Sequence, residues 1–562
     1  MFNFHSKSEP SNLKMSKKVF ALCLLAWVVI VGVMWYIQTP AITIFTEGLF
    51  FWGIALIALL KLISVGLASA PAGFFSPVQL LFSKEATKPG ISRICYYLSN
   101  GLLVAMMLWV TLTPVLCGSF FHAKAFANRI QIKNVDFSEI QEVDFTKTPI
   151  IDRDSTMVLG DRVMGKMPEL VSQFEVSTEY TQISYDDSVY RVTPLEYAGF
   201  IKYLGNKDEG IPAYITVNSV TGETKLVKLK DLGLGGMKYV PSGYFNHNLY
   251  RKLQLQYPTT VFGKPSFEID DEGHPWYVCS TYGFTGFETK KKVTGVVLFD
   301  PITGDSKKYS VDKAPKWVDR IYPEELVIQE VDQNGSLKNG FINSIFGQKD
   351  VMITSEGYNY LAQGGDIYIY SGITSANADA SNLGFVLVNL RNHEAMRIAS
   401  AGANESSAMK SAEGEVRNYG YKSTFPLLVN VNNHPVYMMS LKDDNGLIKM
   451  YAMVDAENYQ KVATIESDEG FETLKKKFVG TEAEEDNTKE KAEKDIQIDS
   501  LQWLNVEGKS KCFIKDTDGK MYKVTISAKN EDVLAFIRPK DTVHIEYVES
   551  EGVQSIRSIE KK

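Results

Sequence analysis

The sequence predicts a membrane-anchored α+β protein, and three observations predict it. Three apolar runs fill the first fifth of the chain, a strand-turn-strand pattern then recurs four times, and a charged stretch sets off a last group of short alternating strands. A chain of 562 residues with 44% hydrophobic content can bury several cores. Sixty Lys and Arg against 67 Asp and Glu leave a net charge of -7 with no concentrated basic stripe, which argues against nucleic acid as a partner. Five cysteines, three of them in or near apolar runs (Cys23, Cys95 and Cys117), leave Cys279 and Cys512 for the rest, which is no disulfide framework.

Each apolar run, residues 19–37, 48–68 and 98–115, is long enough to cross a bilayer as a helix, so 1–118 is read as a membrane domain. Lys7, Lys14, Lys17 and Lys18 precede the first run, and Lys84, Lys88 and Arg93 lie between the second and third. The short first connection, 39–47, has no Lys or Arg. The positive-inside rule therefore expects a cytoplasmic amino terminus and a large extracytoplasmic part after residue 118 in a multi-pass protein of the cell membrane. A cleavage site at Ala68-Ser69-Ala70 is the rival reading, disfavoured because another span follows. Lys61 is the one charge well inside a span. A snorkelling side chain reaching the headgroups is preferred there over a relay or ion site, since the other spans carry no Asp or Glu to pair with it.

Residues 119–192 read as a strand-rich connecting domain with a short helix after Asp154. Gly160 to Lys166, GDRVMGK, matches most of a phosphate-binding loop, but Met167 and Pro168 follow where a hydroxyl should hold magnesium, and the reading is rejected. The recurring pattern is then clearest in GVVLFDPITGDSKKY, 295–309, and returns at 213–227, 384–398 and 450–464. Asn218, Asp300, Asn389 and Asp455 occupy equivalent places in these stretches, as turn residues or as positions that face a partner. Helices are expected before each hairpin: one with Thr193 as N-cap and Pro194 at its first position, one striped by Phe245, Leu249 and Leu253, one after Pro323 with another near Phe341, and one at 407–417. His274-Pro-Trp-Tyr277 and His434-Pro-Val-Tyr437 stand at matching places before two of the hairpins, as duplication would leave them. This gives two units in 193–314 and two in 315–480.

These units resemble PepSY-type domains, small helix-plus-sheet modules of the outer face of bacterial membranes. The likeness rests on Asp300-Pro-Ile-Thr-Gly-Asp305 and Asn218-Ser-Val-Thr-Gly-Glu223, which match a turn of the form D-x-x-T-G-E. Three spans followed by such units is similar to a group of uncharacterised Gram-positive membrane proteins sometimes labelled CvpA-like or cell-shape-related. The resemblance covers about residues 15 to 480 and implies control of an extracellular peptidase or cell-wall enzyme. Arg391-Asn-His393 and Glu457-Asn-Tyr459 depart from the Thr-Gly pair, which leaves the last two turn types open.

No H-E-x-x-H or G-x-S-x-G occurs, His274 and His434 each precede proline at a strand start, and Cys279 beside Tyr277 reads as core. Asn334 and Asn404 head glycosylation sequons that have no meaning in a bacterium. Residues 481–495, charged throughout, read as a linker, and 496–562 as a small five-stranded barrel of OB or SH3 type with a turn at Asp518-Gly519. With no convergent acid, base and nucleophile, no cofactor or metal is expected. The chain is read as a non-enzymatic envelope scaffold or binding protein with the lipid bilayer and a membrane or cell-wall protein as partners, and a homo-oligomer is compatible with it. A component of a transporter or envelope enzyme complex is the alternative.

Overall fold

The computed structural model describes residues 12–14, 16–67, 69–71, 90–286, 290–355, 357–375, 381–480, 491–506, 509–525, 530–548 and 553–562. The expectations for Lys7, Ala68, Lys84, Lys88 and residues 481–490 lie outside them. The chain divides into two compact units, residues 1–469 and 470–562.

The three apolar runs form α1 (Lys17–Gln38), α2 (Thr46–Leu67) and α3 (Ile91–Leu116), each long and apolar enough to cross a membrane. Ser16 caps α1 by accepting the Val19 N–H, and no residue of α1 is buried within the protein. An apolar helix with no protein cover needs lipid around it. α3 begins seven residues before the apolar run, because Ser92 donates to the Ser64 carbonyl of α2 and Tyr96 and Ser99 are buried. A short helix, α4 (Ser119–Ala127), then leads into the sheet-rich body.

β1 (Ile132–Val135) leaves the membrane end of the body at once and joins the third sheet as a parallel neighbour of a strand more than 250 residues later. α5 (Arg153–Met164) starts at Asp152, whose side chain accepts from Asp154 N. The first sheet is built from β2 (Phe174–Val176), β3 (Thr181–Tyr185) and β4 (Ser188–Tyr197), then, after α6 (Phe200–Asn206), β5 (Ala213–Asn218) and β6 (Thr224–Lys228). The expected helix from Thr193 is therefore wrong: Thr193 and Pro194 lie inside β4, paired with Ile215 and Tyr214. Local capping signals lose there to burial, since Val192, Leu195 and Tyr197 are all within 2% of full burial in the sheet core. The helix starts only after Gly199, and the boundary placed at residue 193 cuts a strand.

After α7 (Leu249–Gln256) the second sheet contains β7 (Val261–Phe262), β8 (Ser266–Ile269), β9 (Pro275–Thr285), β10 (Lys290–Phe299) and β11 (Ser306–Tyr309). α8 (Glu324–Leu337) precedes the third, β12 (Met352–Thr354), β13 (Asn359–Gln363), β14 (Asp366–Ser375), β15 (Ser381–Asn389) and β16 (Ala395–Ala403), with β1 as its sixth strand. α9 (Glu405–Glu415) precedes the fourth, β17 (Lys422–Ser423), β18 (Leu427–Val431), β19 (His434–Lys442), β20 (Ile448–Asp455) and β21 (Val462–Glu466). All four sheets share one pairing scheme. The first short strand pairs with the far half of the first long strand, the second short strand with its near half, and the next two strands extend the sheet antiparallel. The first two sheets bury one continuous core that includes Tyr197, Tyr214, Tyr277, Cys279 and Phe299.

In the second compact unit, α10 (Phe471–Val479) is followed by β22 (Lys491–Val506), β23 (Lys509–Asp516), β24 (Met521–Thr525), α11 (Glu531–Phe536), β25 (Thr542–Val548) and β26 (Gln554–Lys561). The strands close a barrel in the order β22-β23-β24-β26-β25, with β24 and β26 parallel. The charged stretch was expected to run as a linker to residue 495, yet Lys491 to Gln497 pair with β25 and complete the closure. Charge did not forbid a strand there because Glu493 and Asp495 are exposed on the outer face.

Candidate functional site

The four equivalent turn positions share one geometry. Oδ1 of Asn218 accepts from Val220 N and Thr221 N, that of Asp300 from Ile302 N and Thr303 N, that of Asn389 from Arg391 N and Asn392 N, and that of Asp455 from Glu457 N and Asn458 N. The side chain takes the place of a turn carbonyl and satisfies two backbone donors. In the third turn His393 adopts φ 67° where Gly222 and Gly304 stand in the first two, and the fourth turn is one residue longer, closing through Asp455 N to Lys461 O. All four residues are at most 8% exposed, and each holds its turn.

Each turn residue also meets the residue at the start of the first long strand, two positions before its own cross-strand partner. Asn218 Nδ2 reaches Ser188 Oγ at 3.3 Å and Asn389 Nδ2 reaches Asp366 Oδ2 at 2.7 Å. Asp455 Oδ2 lies 3.0 Å from His434 Nε2, and Asp300 Oδ2 lies 3.8 Å from His274 Nε2. Chemistry is complementary in every case: an amide donor faces an oxygen, a carboxylate faces an imidazole. Burial works against the Asp455 carboxylate, but its backbone donors and His434 outweigh it and hold the group below its ordinary range. The His434-Pro motif is thus a strand-to-turn tie, and His274 stands at the matching place beside Asp300 without a hydrogen bond to it.

Cys279 is fully buried, and burial pushes its thiol far above the ordinary range, which leaves no reactive thiolate. GDRVMGK is not a loop: residues 160–164 complete α5. Lys61, the charge expected to snorkel, lies against α3. It is 8% exposed, donates to Asn100 Oδ1 at 2.5 Å and lies 4.3 Å from the Tyr96 ring centroid, so α3 supplies polar and aromatic partners for it. Asn100, an amide within the third apolar run, is the sequence signal for this partner.

A cleft of about 370 Å³ with convergent polar groups lies where the first, third and fourth sheets meet the strap 140–149. The strap runs beside β18: Glu142 bridges Asn430, Val143 N donates to the Asn430 carbonyl at 2.9 Å, and Asn430 Nδ2 donates to the Ile140 carbonyl at 2.7 Å. That leaves Asn430 Oδ1, in a residue 2% exposed, as a buried acceptor with no donor on it. The rim carries the Lys147–Asp187 ion pair at 2.7 Å and Asp144, held below its ordinary range by two hydrogen bonds from Thr146. The turn Gly364-Gly365 closes the opposite side. This volume falls within the range of ligand sites. Lys147 and Asp187 are exposed and paired with each other, and Asp144 is held by Thr146.

A second polar concentration lies at the junction of the first three sheets. Asp319, 1% exposed, accepts from Ser184 N at 2.6 Å through Oδ2, meets Arg391 at 3.2 Å through Oδ1, and donates its own N–H to Glu268 at 2.9 Å. Arg391 also reaches Asp366 at 2.8 Å. Burial first, and the neighbouring Glu268 carboxylate second, raise Asp319 well above its ordinary range, and burial raises Glu268 too. No solvent path to these groups is needed for what they do, which is to join three sheets. Among the described residues no group of three or more His, Cys, Asp or Glu side chains is placed to hold a metal ion. In sequence, the chain matches no protein-family model and no curated protein.

Proposed function

We propose that the protein is a membrane-anchored scaffold of a bacterial cell envelope that binds a protein partner and catalyses no reaction. In this reading the four sheets are duplicated PepSY-like units, akin to those of the CvpA-like or cell-shape-related membrane proteins, and the closed barrel is OB-like. The shared pairing scheme and the four turn ties support duplication, and the 1-2-3-5-4 strand order with a helix before the fourth strand supports the barrel assignment. The observation that carries the scaffold reading is the cleft at the strap, an open recess among three sheets whose strap is tied to β18 through Asn430. A partner seated in the recess would meet the strap that Asn430 anchors through the Ile140 carbonyl.

The test is copurification from native membranes in mild detergent, comparing the wild-type chain with Asn430→Leu. A stoichiometric wall-synthesis enzyme or peptidase that is lost with Asn430→Leu supports the reading. Recovery of the chain alone, in both cases and after crosslinking, refutes it. The buried Lys61–Asn100 pair favours a second reading, a transporter component, which predicts that Lys61→Met abolishes a transport phenotype while the protein stays abundant.

A further inference from the structure

Two exposed apolar clusters lie where the body meets the ends of the membrane helices. The first is formed by Phe200, Ile201 and Leu204 of α6 together with Phe245. It adjoins the last turn of α1: Tyr36 donates to Asn246 Oδ1 at 3.0 Å, and Arg251 donates to the Tyr36 carbonyl at 2.7 Å while lying over the Tyr36 ring. Ile201 is 73% exposed, and Phe245 holds φ 50°, a conformation that a bulky residue adopts only under constraint. The second cluster comprises Phe120 and Phe121 of α4, two residues past the end of α3, with Ile342, Ile345 and Phe346 around a π-helical turn, Asn343–Gly347. Phe346 is 84% exposed. Exposed Lys124 and Lys349 rim this cluster.

Between the two clusters the α1–α2 connection is pinned to the body as well, through Ile42 N to the Pro258 carbonyl at 2.7 Å and Phe45 stacked on Phe284 at 5.2 Å. The carboxyl ends of α1 and α3 and the amino end of α2 all lie on this side, so both clusters are at the level where spanning helices leave hydrocarbon. Aromatic and branched side chains with a lysine rim are what the headgroup boundary accepts. We infer that these clusters are two feet set into the body-side leaflet of the same bilayer, holding the soluble sheets down on the membrane surface. The inference rests on the membrane-anchored reading and adds to it a peripheral lipid contact made by the body itself.

The test places spin labels on full-length protein in nanodiscs of phosphatidylethanolamine and phosphatidylglycerol, in a chain whose five cysteines are replaced. Labels go at Ile201→Cys and Phe346→Cys, with Val29→Cys inside α1 and Tyr459→Cys on the fourth turn as references. The expected result is relaxation by oxygen with loss of access to a water-soluble nickel complex at 201 and 346, as at 29. Nickel access equal to that at 459 overturns the inference, and so does exclusion of both relaxants, which means that protein covers the feet. Nickel access at 29 would instead refute the membrane reading itself. If the cysteine-free chain does not fold, Ile201→Trp and Phe346→Trp in the native chain serve instead, and both should be quenched by bromine-bearing lipid; absence of added quenching overturns the inference.

Discussion

Replacing Asp319, itself 1% exposed, by alanine removes the acceptor for Ser184 N–H and one of two carboxyl groups on Arg391. An orphaned buried N–H costs about 1–3 kcal/mol. Losing a hydrogen bond from the charged Arg391 guanidinium costs about 1.5–3 kcal/mol, less here because Arg391 keeps Asp366. The expected sum is about 3–5 kcal/mol, and at roughly 2–4 °C per kcal/mol for a larger domain the unfolding temperature should fall by about 6–20 °C. Asp319→Asn should cost under about 1 kcal/mol, since its amide oxygen still accepts from Ser184 and the side chain stays uncharged. The two variants also separate in pH. A carboxyl raised in the folded state contributes stability that is complete below its unfolded value and lost as pH rises through the folded value. The asparagine has no such loss, so its stability relative to wild type should rise with pH. Thermal unfolding in detergent, followed by fluorescence of the neighbouring Trp276 and Trp317, reads both effects. Equal losses for alanine and asparagine at every pH would refute the assignment of a neutral, hydrogen-bonded Asp319.

At the fourth turn Asp455→Ala should destabilise by about 1–3 kcal/mol by freeing two backbone donors, and Asp455→Asn by less. Because the Asp455 carboxyl is lowered on folding, its contribution is present above its unfolded value and lost as pH falls, so acid unfolding should be flatter for Asp455→Asn. Gly304→Ala should deplete the protein, since φ 78° strains an alanine and its methyl would lie 2.6 Å from the Tyr239 ring, whereas His393→Gly should lose the 4.4 Å stack on Tyr322 without backbone strain; expression and melting measure both. A fragment of residues 491–562 should give dispersed amide spectra, and one of 498–562 should not, because it lacks the pairs that close β22 on β25. Protease added to intact protoplasts should digest the chain beyond residue 118; protection of that part would reverse the expected orientation.

Local chemistry determined what the sequence could state by itself. Continuous apolar runs require helices in lipid, Asx-led turns between alternating strands require hairpins, and Asp518-Gly519 turns the barrel because Gly519 takes φ 85°. These signals act within a few residues, so composition and period were enough. Tertiary structure alone decided the rest. It drew Thr193 and Pro194 out of a well-signalled helix, because β4 buries its apolar side chains between neighbouring strands. It seated β1 beside β16, carried the strap to Asn430 and so made the cleft, and gave Lys61 its partner in Asn100. It brought Ser184, Glu268, Asp319 and Arg391 together from four separate stretches. None of these contacts leaves a period or a spacing in the chain, since each is settled by which buried polar group finds its complement once the sheets have packed.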